Sequence, residues 1–356
     1  MIIGGAIRRT YATSRLSDPW KSFKGPRWAV AVTTAAAGSA IYFKWRQSEA
    51  RELSPEYFTP YRISFKEDID RSHFLLELTP VVEQQQNLWA KLGCEKLWSV
   101  EIKQPEVMVV RNYTPLPLQM NKDNKSLEIL QDGEHAGGKL LFYIKQYEQG
   151  EVARWLHRLP ENHIVELRGP FIDYEFPHYK SEIKRDRSFL RSNGSDDEGK
   201  EETFIFQPFD IAMFTAGTGV VTALQLLLTE NPFRGTIDLF YSCHSYDELG
   251  PLGTILRTLE RSNRVRLHVI ESRNRSSRAE NLKIISKSIL PPSPYTGQVP
   301  YKGKKSSILE PVLSLVCGPE GYVAAIAGPK YEPAQGPVLG LLEKKQWTSD
   351  NVYKLS

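Results

Sequence analysis

The most informative stretch of the sequence is Arg111-Asn112-Tyr113-Thr114-Pro115. It follows the apolar run Val107-Met108-Val109-Val110, which predicts a β-strand ending where the polar residues begin. Side chains alternate along a strand, so Arg111 and Tyr113 point one way and Asn112 points the other. A guanidinium matches a pyrophosphate, a phenol covers a flat ring, and a hydroxyl reaches a ring nitrogen. The stretch predicts a site for a charged aromatic ligand; the alternative is an ordinary strand end with a solvated arginine.

The composition limits the class of protein. With 356 residues, 40% of them hydrophobic, the chain has room for two domains and a further segment. The net charge of +4 is modest, and basic residues are interspersed with acidic ones, so no nucleic-acid partner is expected. Cys94, Cys243 and Cys317 form no Cys-x-x-Cys, and the histidines lack metal-site spacing, so no metal site is expected. Redox chemistry would therefore require a bound organic cofactor.

Residues 1–27 are predicted to be a mitochondrial targeting segment. Arginines and hydroxyl residues dominate its start, and no acidic residue precedes Asp18. The alternative is a disordered basic N-terminus.

Residues 28–45 are predicted to be a membrane anchor. The run from Trp28 to Phe43 carries no charge and would be about 24 Å long as a helix, against about 30 Å of hydrocarbon. Snorkelling of Arg27 and Lys44 could close that gap. More basic residues precede the run than follow it, which predicts that everything after Lys44 lies in the intermembrane space. A cleaved segment or a peripheral helix is the alternative.

Residues 54–177 are predicted to form a small antiparallel β-barrel, because many short strands follow one another with turns at regular spacing. The predicted strands are Tyr61–Glu67, Phe74–Leu78, Trp98–Lys103, Val107–Val110, Leu127–Leu130, Leu140–Gln146 and Ile164–Leu167.

A second motif, Gly150-Glu151-Val152-Ala153, lies inside this predicted barrel. Val152, Trp155 and Leu156 have helical spacing, so Gly150 opens a short amphipathic helix. Unpaired N–H groups and the helix dipole make such a start a site for an anion.

Residues 178–203 read as a charged linker, and residues 204–356 as a nucleotide-binding domain. The strand Pro208–Thr215 runs into Ala216-Gly217-Thr218-Gly219 and then into the helix Val220–Leu228, which is how a nucleotide-binding βαβ unit begins. A tight turn without a ligand is the alternative. Later strands and helices alternate, which predicts a doubly wound parallel sheet. The predicted runs are the strands Ile237–Ser242, Val265–Glu271 and Leu313–Val316, and the helix Leu252–Arg261.

Cys317-Gly318-Pro319 follows the last of these strands, at the edge of the sheet where ligands bind. The alternative is a buried cysteine before a turn. The predicted fold class is thus two-domain α+β: an antiparallel β-barrel, then a doubly wound α/β domain.

The four motifs, in this order, resemble those of the ferredoxin-reductase-like flavoproteins, most closely the cytochrome b5 reductase branch. The resemblance implies FAD in the barrel and NADH or NADPH in the second domain. It implies that FAD is bound by Arg111, Asn112, Tyr113, Thr114, Gly150, Glu151, Val152 and Ala153. It implies that the nucleotide is bound by Gly217, Thr218, Gly219, Cys317, Gly318 and Pro319, with Thr114 and Cys317 catalytic and Tyr353 close to the flavin.

The sequence departs from this family in three places. Ala153 replaces a hydroxyl residue, Ala216 replaces the first glycine, and Val221-Thr222 replaces Thr-Pro. The choice between NADH and NADPH stays open, since Ser245 could accept a 2′-phosphate and Asp247 could bind a ribose hydroxyl.

The predicted targeting segment and anchor add a narrower resemblance, to fungal mitochondrial inner-membrane flavoproteins that assist haem attachment to apocytochromes c. This resemblance implies that the reductase domain faces the intermembrane space, that ferric haem accepts its electrons, and that cytochrome c haem lyase and apocytochrome c are partners. Two alternatives are a cytochrome b5 reductase-like enzyme with another acceptor and an assembly scaffold with a structural flavin.

Overall fold

The computed structural model of the protein describes residues 52–92, 96–121, 123, 126–130, 135–176, 209–229, 234–273, 278–293, 309–331 and 334–355. The predicted targeting segment (1–27), membrane anchor (28–45) and linker (178–203) lie outside these ranges. Within them, no helix combines the length and the apolar character needed to span a bilayer.

The first domain is built on a six-stranded antiparallel sheet. Its strands are β1 (Thr59–Asp68), β2 (His73–Pro80), β3 (Lys96–Gln104), β4 (Val109–Tyr113), β7 (Leu140–Lys145) and β8 (Ile164–Glu175), in the order β4-β3-β8-β1-β2-β7. β5 (Leu118–Asn121) and β6 (Ser126–Ile129) pair separately, and two short helices are α1 (Leu88–Leu92) and α2 (Glu151–Arg158). The core beneath the sheet includes Tyr61, Ile63, Trp98, Val100 and Leu156.

The predicted barrel is a half-barrel. β4 and β7 are the two edges of the sheet, and just beyond β4 the chain bridges back to β7, where the Leu116 N–H donates to the Leu141 carbonyl at 2.8 Å. The sheet therefore curls, but an isolated bridge rather than a ladder between β4 and β7 links its two edges in the part that the structure describes. The flavin motif lies on one edge, and the strand leading to α2 is the other.

One predicted strand is misplaced. Val107 and Met108 were expected inside it, but Gln104 pairs with Val109, so residues 105–108 form the hairpin turn and both apolar side chains are exposed. Arg111 and Tyr113 consequently lie within β4, paired with β3, rather than after its end. β8 is also longer than predicted, because it continues beyond Leu167 alongside β3 as far as Glu175.

The second domain has five parallel strands: β9 (Phe209–Ala216), β10 (Arg234–Cys243), β11 (Val265–Glu271), β12 (Pro311–Cys317) and β13 (Val352–Lys354), in the order β11-β10-β9-β12-β13. Its helices are α3 (Val220–Leu228), α4 (Pro251–Arg261), α5 (Arg278–Ser288), α6 (Glu320–Ala327) and α7 (Gly340–Glu343). Alternate residues of β9 are buried on opposite faces: Ile211 and Met213 in the cluster with α3 and α4, Ala212 and Phe214 in the cluster with α5, α6 and α7. Helices cover both faces, which confirms the doubly wound prediction.

The two domains share a hydrophobic core. Leu141 and Tyr143 of β7 and Tyr174 of β8 belong to one buried cluster with Leu224 of α3 and Leu313 of β12. The packing therefore continues across the boundary between the half-barrel and the parallel sheet.

A single buried side chain adds polar bonds to that interface. Gln225 of α3 is 1% exposed; its carboxamide oxygen accepts the Trp98 N–H at 3.0 Å, and its nitrogen donates to the carbonyls of Trp98 (3.0 Å) and Pro115 (2.9 Å). Pro115 has no N–H and cannot continue the β4 ladder. The Gln225 amide supplies hydrogen bonds to β3 at that point, so the nucleotide domain fixes the end of the flavin motif.

Candidate functional site

A cavity of about 490 Å³ opens between the two domains. Every residue that the sequence predicted for cofactor binding lines it except Gly217, which lies next to the lining residues Ala216 and Thr218. Four separate sequence motifs thus meet at one place, although their role in binding stays a prediction.

The edge strand β4 supplies the first wall of the cavity. Arg111 is exposed, and its Nη1 donates to the Val110 carbonyl at 2.8 Å. The ring of Tyr113 lies edge-on to Phe142, with 6.4 Å between ring centroids. Burial raises the pKa of the Tyr113 phenol well above its usual range, so the hydroxyl stays neutral. This wall offers the Arg111 guanidinium, the ring of Tyr113 and the hydroxyl of Thr114.

The start of α2 supplies the second wall. Gly150 is its N-cap and no side chain caps it, so the first N–H groups of the helix remain available to a ligand. Val152 and Ala153 are buried in the half-barrel core. The missing hydroxyl at Ala153 thus removes one side-chain donor and leaves the backbone donors in place.

Lys145, at the end of β7, also lines the cavity and was missed by sequence reasoning. Its Nζ lies 5.6 Å from the centroid of the Tyr147 ring. Together with Arg111 and the start of α2, it makes this end of the cavity suited to a pyrophosphate.

Glycines of the nucleotide domain lie at or next to the opposite wall of the cavity. Gly217 has φ +55°, and a methyl group built there would meet no atom within 4 Å, so the backbone is open to a ligand. Gly219 is in the opposite situation: a methyl there would lie 2.8 Å from the Cys317 carbonyl oxygen and 3.2 Å from its Sγ. The Gly-Thr-Gly turn is therefore in direct contact with the Cys-Gly-Pro turn.

The thiol of Cys317 is neutral. Burial raises its pKa to about 11, although a hydrogen bond with Thr222 opposes the shift. Thr222, in the position of the family's proline, donates from Oγ1 to the Gly219 carbonyl at 2.8 Å. Cys317 is thus suited to pack against a ring rather than to act as a nucleophile.

Several further cavity residues were not predicted as site residues. Asp173 of β8 and Leu355 after β13 both line the cavity. Tyr353, expected close to the flavin, instead packs against Tyr174 with 4.8 Å between ring centroids. Only the predicted order of strands could have suggested Leu355, and no local pattern marks Asp173.

The residues fit a flavin dinucleotide and a nicotinamide dinucleotide. Cations and an uncapped helix start lie on the half-barrel side, with an aromatic ring beside them, while glycine-opened backbone and a neutral thiol lie on the other side. The described residues contain no group of three or more histidine, cysteine, aspartate or glutamate side chains placed to hold a metal ion.

A half-barrel followed by a five-stranded parallel sheet, with a cavity between them, defines the ferredoxin-reductase-like fold. The cytochrome b5 reductase domain of Ulva prolifera nitrate reductase superposes with a TM-score of 0.53 at 16% identity, over 85% of this chain and 99% of that one. No protein-family model matches the chain.

The chain belongs to the family of the cytochrome c mitochondrial import factor CYC2 of Saccharomyces cerevisiae. The two are 56% identical over 331 residues, which cover 91% of this chain and 90% of that protein. An uncharacterised FAD-binding protein of Schizosaccharomyces pombe is 25% identical over 90% of this chain and 95% of its own length. NADH-cytochrome b5 reductase 2 of Debaryomyces hansenii is 24% identical over 96% of this chain and 99% of its own length.

Proposed function

We propose that the chain is a flavoprotein oxidoreductase of cytochrome c biogenesis, which passes electrons from NADH or NADPH through FAD to ferric haem or a haem protein. The observation that carries the proposal is the single cavity on which the flavin motif, the start of α2, the Gly-Thr-Gly turn and the Cys-Gly-Pro turn converge. The names of the relatives support the same reading: one acts in cytochrome c import, one binds FAD and one is an NADH-dependent reductase.

The half-barrel would hold FAD. Arg111, Lys145 and the free N–H groups in the first turn of α2 would neutralise its pyrophosphate, because charge-assisted and helix-terminal donors all line the cavity. Tyr113 would cover the ring system or the ribose, and Thr114 would hydrogen-bond near the reactive ring nitrogen. When bound, FAD supplies the ability to accept a hydride and release electrons singly.

The second domain would hold the nicotinamide nucleotide. The open backbone at Gly217 and the start of α3 would receive its phosphates, and the neutral Cys317 thiol with Gly318 and Pro319 would pack against the nicotinamide. The contact between Gly219 and Cys317 fixes these two subsites relative to each other. The protein's task is then to place two rings against each other and to exclude water between them.

The cellular setting is part of the proposal. The relative's name supports a mitochondrial protein connected with cytochrome c. The targeting segment (1–27) and the anchor (28–45) would place it in the inner membrane with the catalytic domain in the intermembrane space. Cytochrome c haem lyase and apocytochrome c would be its partners, since haem attachment requires reduced iron and free thiols.

The experiment is an anaerobic absorption spectrum of the purified full-length protein, followed by addition of NADH, NADPH and then haemin. We expect the absorption bands of oxidised flavin, bleaching by one or both nucleotides, and formation of ferrous haem when haemin is added to the reduced protein. Reduction of cytochrome b5 but not of haemin would favour the reductase with another acceptor. A flavin that neither nucleotide bleaches would favour the assembly scaffold, and a colourless folded protein would overturn the proposal.

A further inference from the structure

The acidic residue Asp173 lies in the part of the cavity where the nicotinamide is expected. It lines the cavity together with Thr222, Cys317 and Pro319 of the nucleotide domain. Its negative charge is close enough to Cys317 to raise the pKa of that thiol. The nucleotide domain itself places no charged side chain among the described residues of the lining. Outside the lining, the positive charge of Lys330 is close enough to oppose the rise in the pKa of both Cys317 and Asp173.

The carboxylate is held in place by the half-barrel. The hydroxyl of Ser99, a residue 2% exposed on β3, donates to Asp173 Oδ1 at 3.0 Å. Across the part of the chain that the structure describes, the second oxygen, Oδ2, makes no hydrogen bond that would occupy it. One oxygen is therefore fixed and the other is available to a ligand.

The charge of Asp173 is set by its burial and by two neighbouring groups, which shift its pKa in opposite directions. Burial raises its pKa to about 6, while the Ser99 hydrogen bond and the positive charge of Lys330 oppose that rise. Cys317, a further ionisable group near Asp173, is a neutral thiol. Asp173 is therefore mostly ionised above pH 6 and mostly neutral below it.

A nicotinamide ring changes charge in the reaction. When a hydride leaves the ring with both electrons of its bond and passes to the flavin, the neutral dihydronicotinamide becomes a ring with one positive charge. A fixed carboxylate beside the ring stabilises the charged product more than the neutral reactant, and the effect is strong where water is excluded.

We propose that Asp173 is a specificity-determining residue that makes the nucleotide subsite prefer the oxidised, cationic nicotinamide to the reduced one. The inference rests on the proposed function and assigns a charge preference to one side of its cavity. Ser99 is the positioning residue that holds the Asp173 carboxylate.

The test is equilibrium binding to the full-length, flavin-loaded protein, measured by titration calorimetry from pH 5 to pH 8. The ligands are NAD⁺ and 1,4,5,6-tetrahydro-NAD, whose neutral ring cannot donate a hydride, or the NADP counterparts if NADPH is the donor. In the wild type, NAD⁺ affinity should fall as the pH drops through about 6. Asp173→Asn should weaken NAD⁺ binding about tenfold at pH 8 and leave the neutral analogue unchanged.

Two further variants make the result specific. Ser99→Ala removes the hydrogen bond that favours the ionised carboxylate, so the pH at which NAD⁺ affinity falls should move upward. Glu175→Gln is the matched control, because Glu175 is on the same strand but half-exposed and paired with Lys96 at 3.1 Å. It should leave both affinities unchanged.

The outcomes separate the two proposals. If Asp173→Asn weakens both ligands equally, or neither, the inference about Asp173 is wrong while the flavoprotein function stands. A wild-type protein that binds neither nucleotide, and whose flavin is not bleached, would overturn the proposed function and this inference with it.

Discussion

The two sides of the cavity offer a ligand different kinds of contact. All of the charged residues that line it, Arg111, Lys145, Glu151 and Asp173, come from the half-barrel. The nucleotide domain contributes glycines, alanine, threonines, a neutral thiol and apolar side chains. The half-barrel side can neutralise a phosphate through cations, whereas the other side relies on close approach of the backbone. The difference suits a cofactor that stays bound on one side and a substrate that must leave on the other.

The largest expected effect is on the charged side. Arg111→Ala should abolish retention of FAD, because it removes a cation whose guanidinium faces the cavity. The measurement is the ratio of flavin to protein after gel filtration. Arg62→Ala, at an exposed position on β1 outside the cavity lining, is the control and should keep its flavin. An Arg111→Ala protein that purifies with full flavin would show that this cation is not needed to hold FAD.

The next effect tests the backbone side. Gly219→Ala should keep the flavin but lower the rate of its reduction by NADH on the order of a hundredfold, about 2–3 kcal/mol. The reason is that a methyl group at this position would lie 2.8 Å from the Cys317 carbonyl oxygen and would push the two turns apart. Stopped-flow reduction of the bound flavin measures the effect. Gly217→Ala is the comparison, because its added methyl would meet no atom within 4 Å. A slower rate in that variant would come from backbone strain at φ +55° or from contact with the ligand, not from displacement of Cys317. Equal rates in Gly219→Ala and wild type would show that the two turns need not touch.

A third effect concerns the link between the two sides. Gln225→Leu should lower the free energy of unfolding by about 3 kcal/mol, because the Trp98 N–H and the carbonyls of Trp98 and Pro115 lose their buried partner. Chemical denaturation measures the loss. Gln146→Leu is the matched control, since its amide makes an exposed bond to the Arg71 carbonyl and should cost well under 1 kcal/mol. Equal losses in the two variants would mean that the interface depends on its apolar core alone.

The smallest effect sharpens the view of the nucleotide side. A methyl group built at Gly318 would lie 3.0 Å from the Ala216 methyl. Ala216 therefore occupies space close to the Cys-Gly-Pro turn. Ala216→Gly should strengthen nucleotide binding by a few-fold, at a cost of about 0.5–1 kcal/mol in stability. Titration of the nucleotide and a thermal melt give the two numbers. Weaker binding would show that the alanine is part of the working site.

The sequence allowed three of the four motifs to be placed where a strand meets a turn or where a helix begins, whereas most of the flavin motif lies within β4. It could not place Lys145, Asp173 or Gln225. The Asp173 carboxylate is hydrogen-bonded to Ser99, 74 positions away in the sequence, and the Gln225 amide to Trp98, 127 positions away. Such roles arise from packing between distant segments and leave no local pattern. The pattern of apolar residues does not reveal the shift of β4, because Val107 and Met108 lie in the hairpin turn between β3 and β4 rather than in a strand.

The bonds made by Gln225 all end on main-chain atoms, which every sequence possesses. A relative can therefore exchange most side chains on the half-barrel surface that faces α3 without losing this contact, provided that the glutamine and the path of the chain persist. Recombination between relatives that keep this glutamine would then conserve the relative placement of the two domains. Chimeras that join this half-barrel to a related nucleotide domain carrying the same glutamine should be more stable than those lacking it.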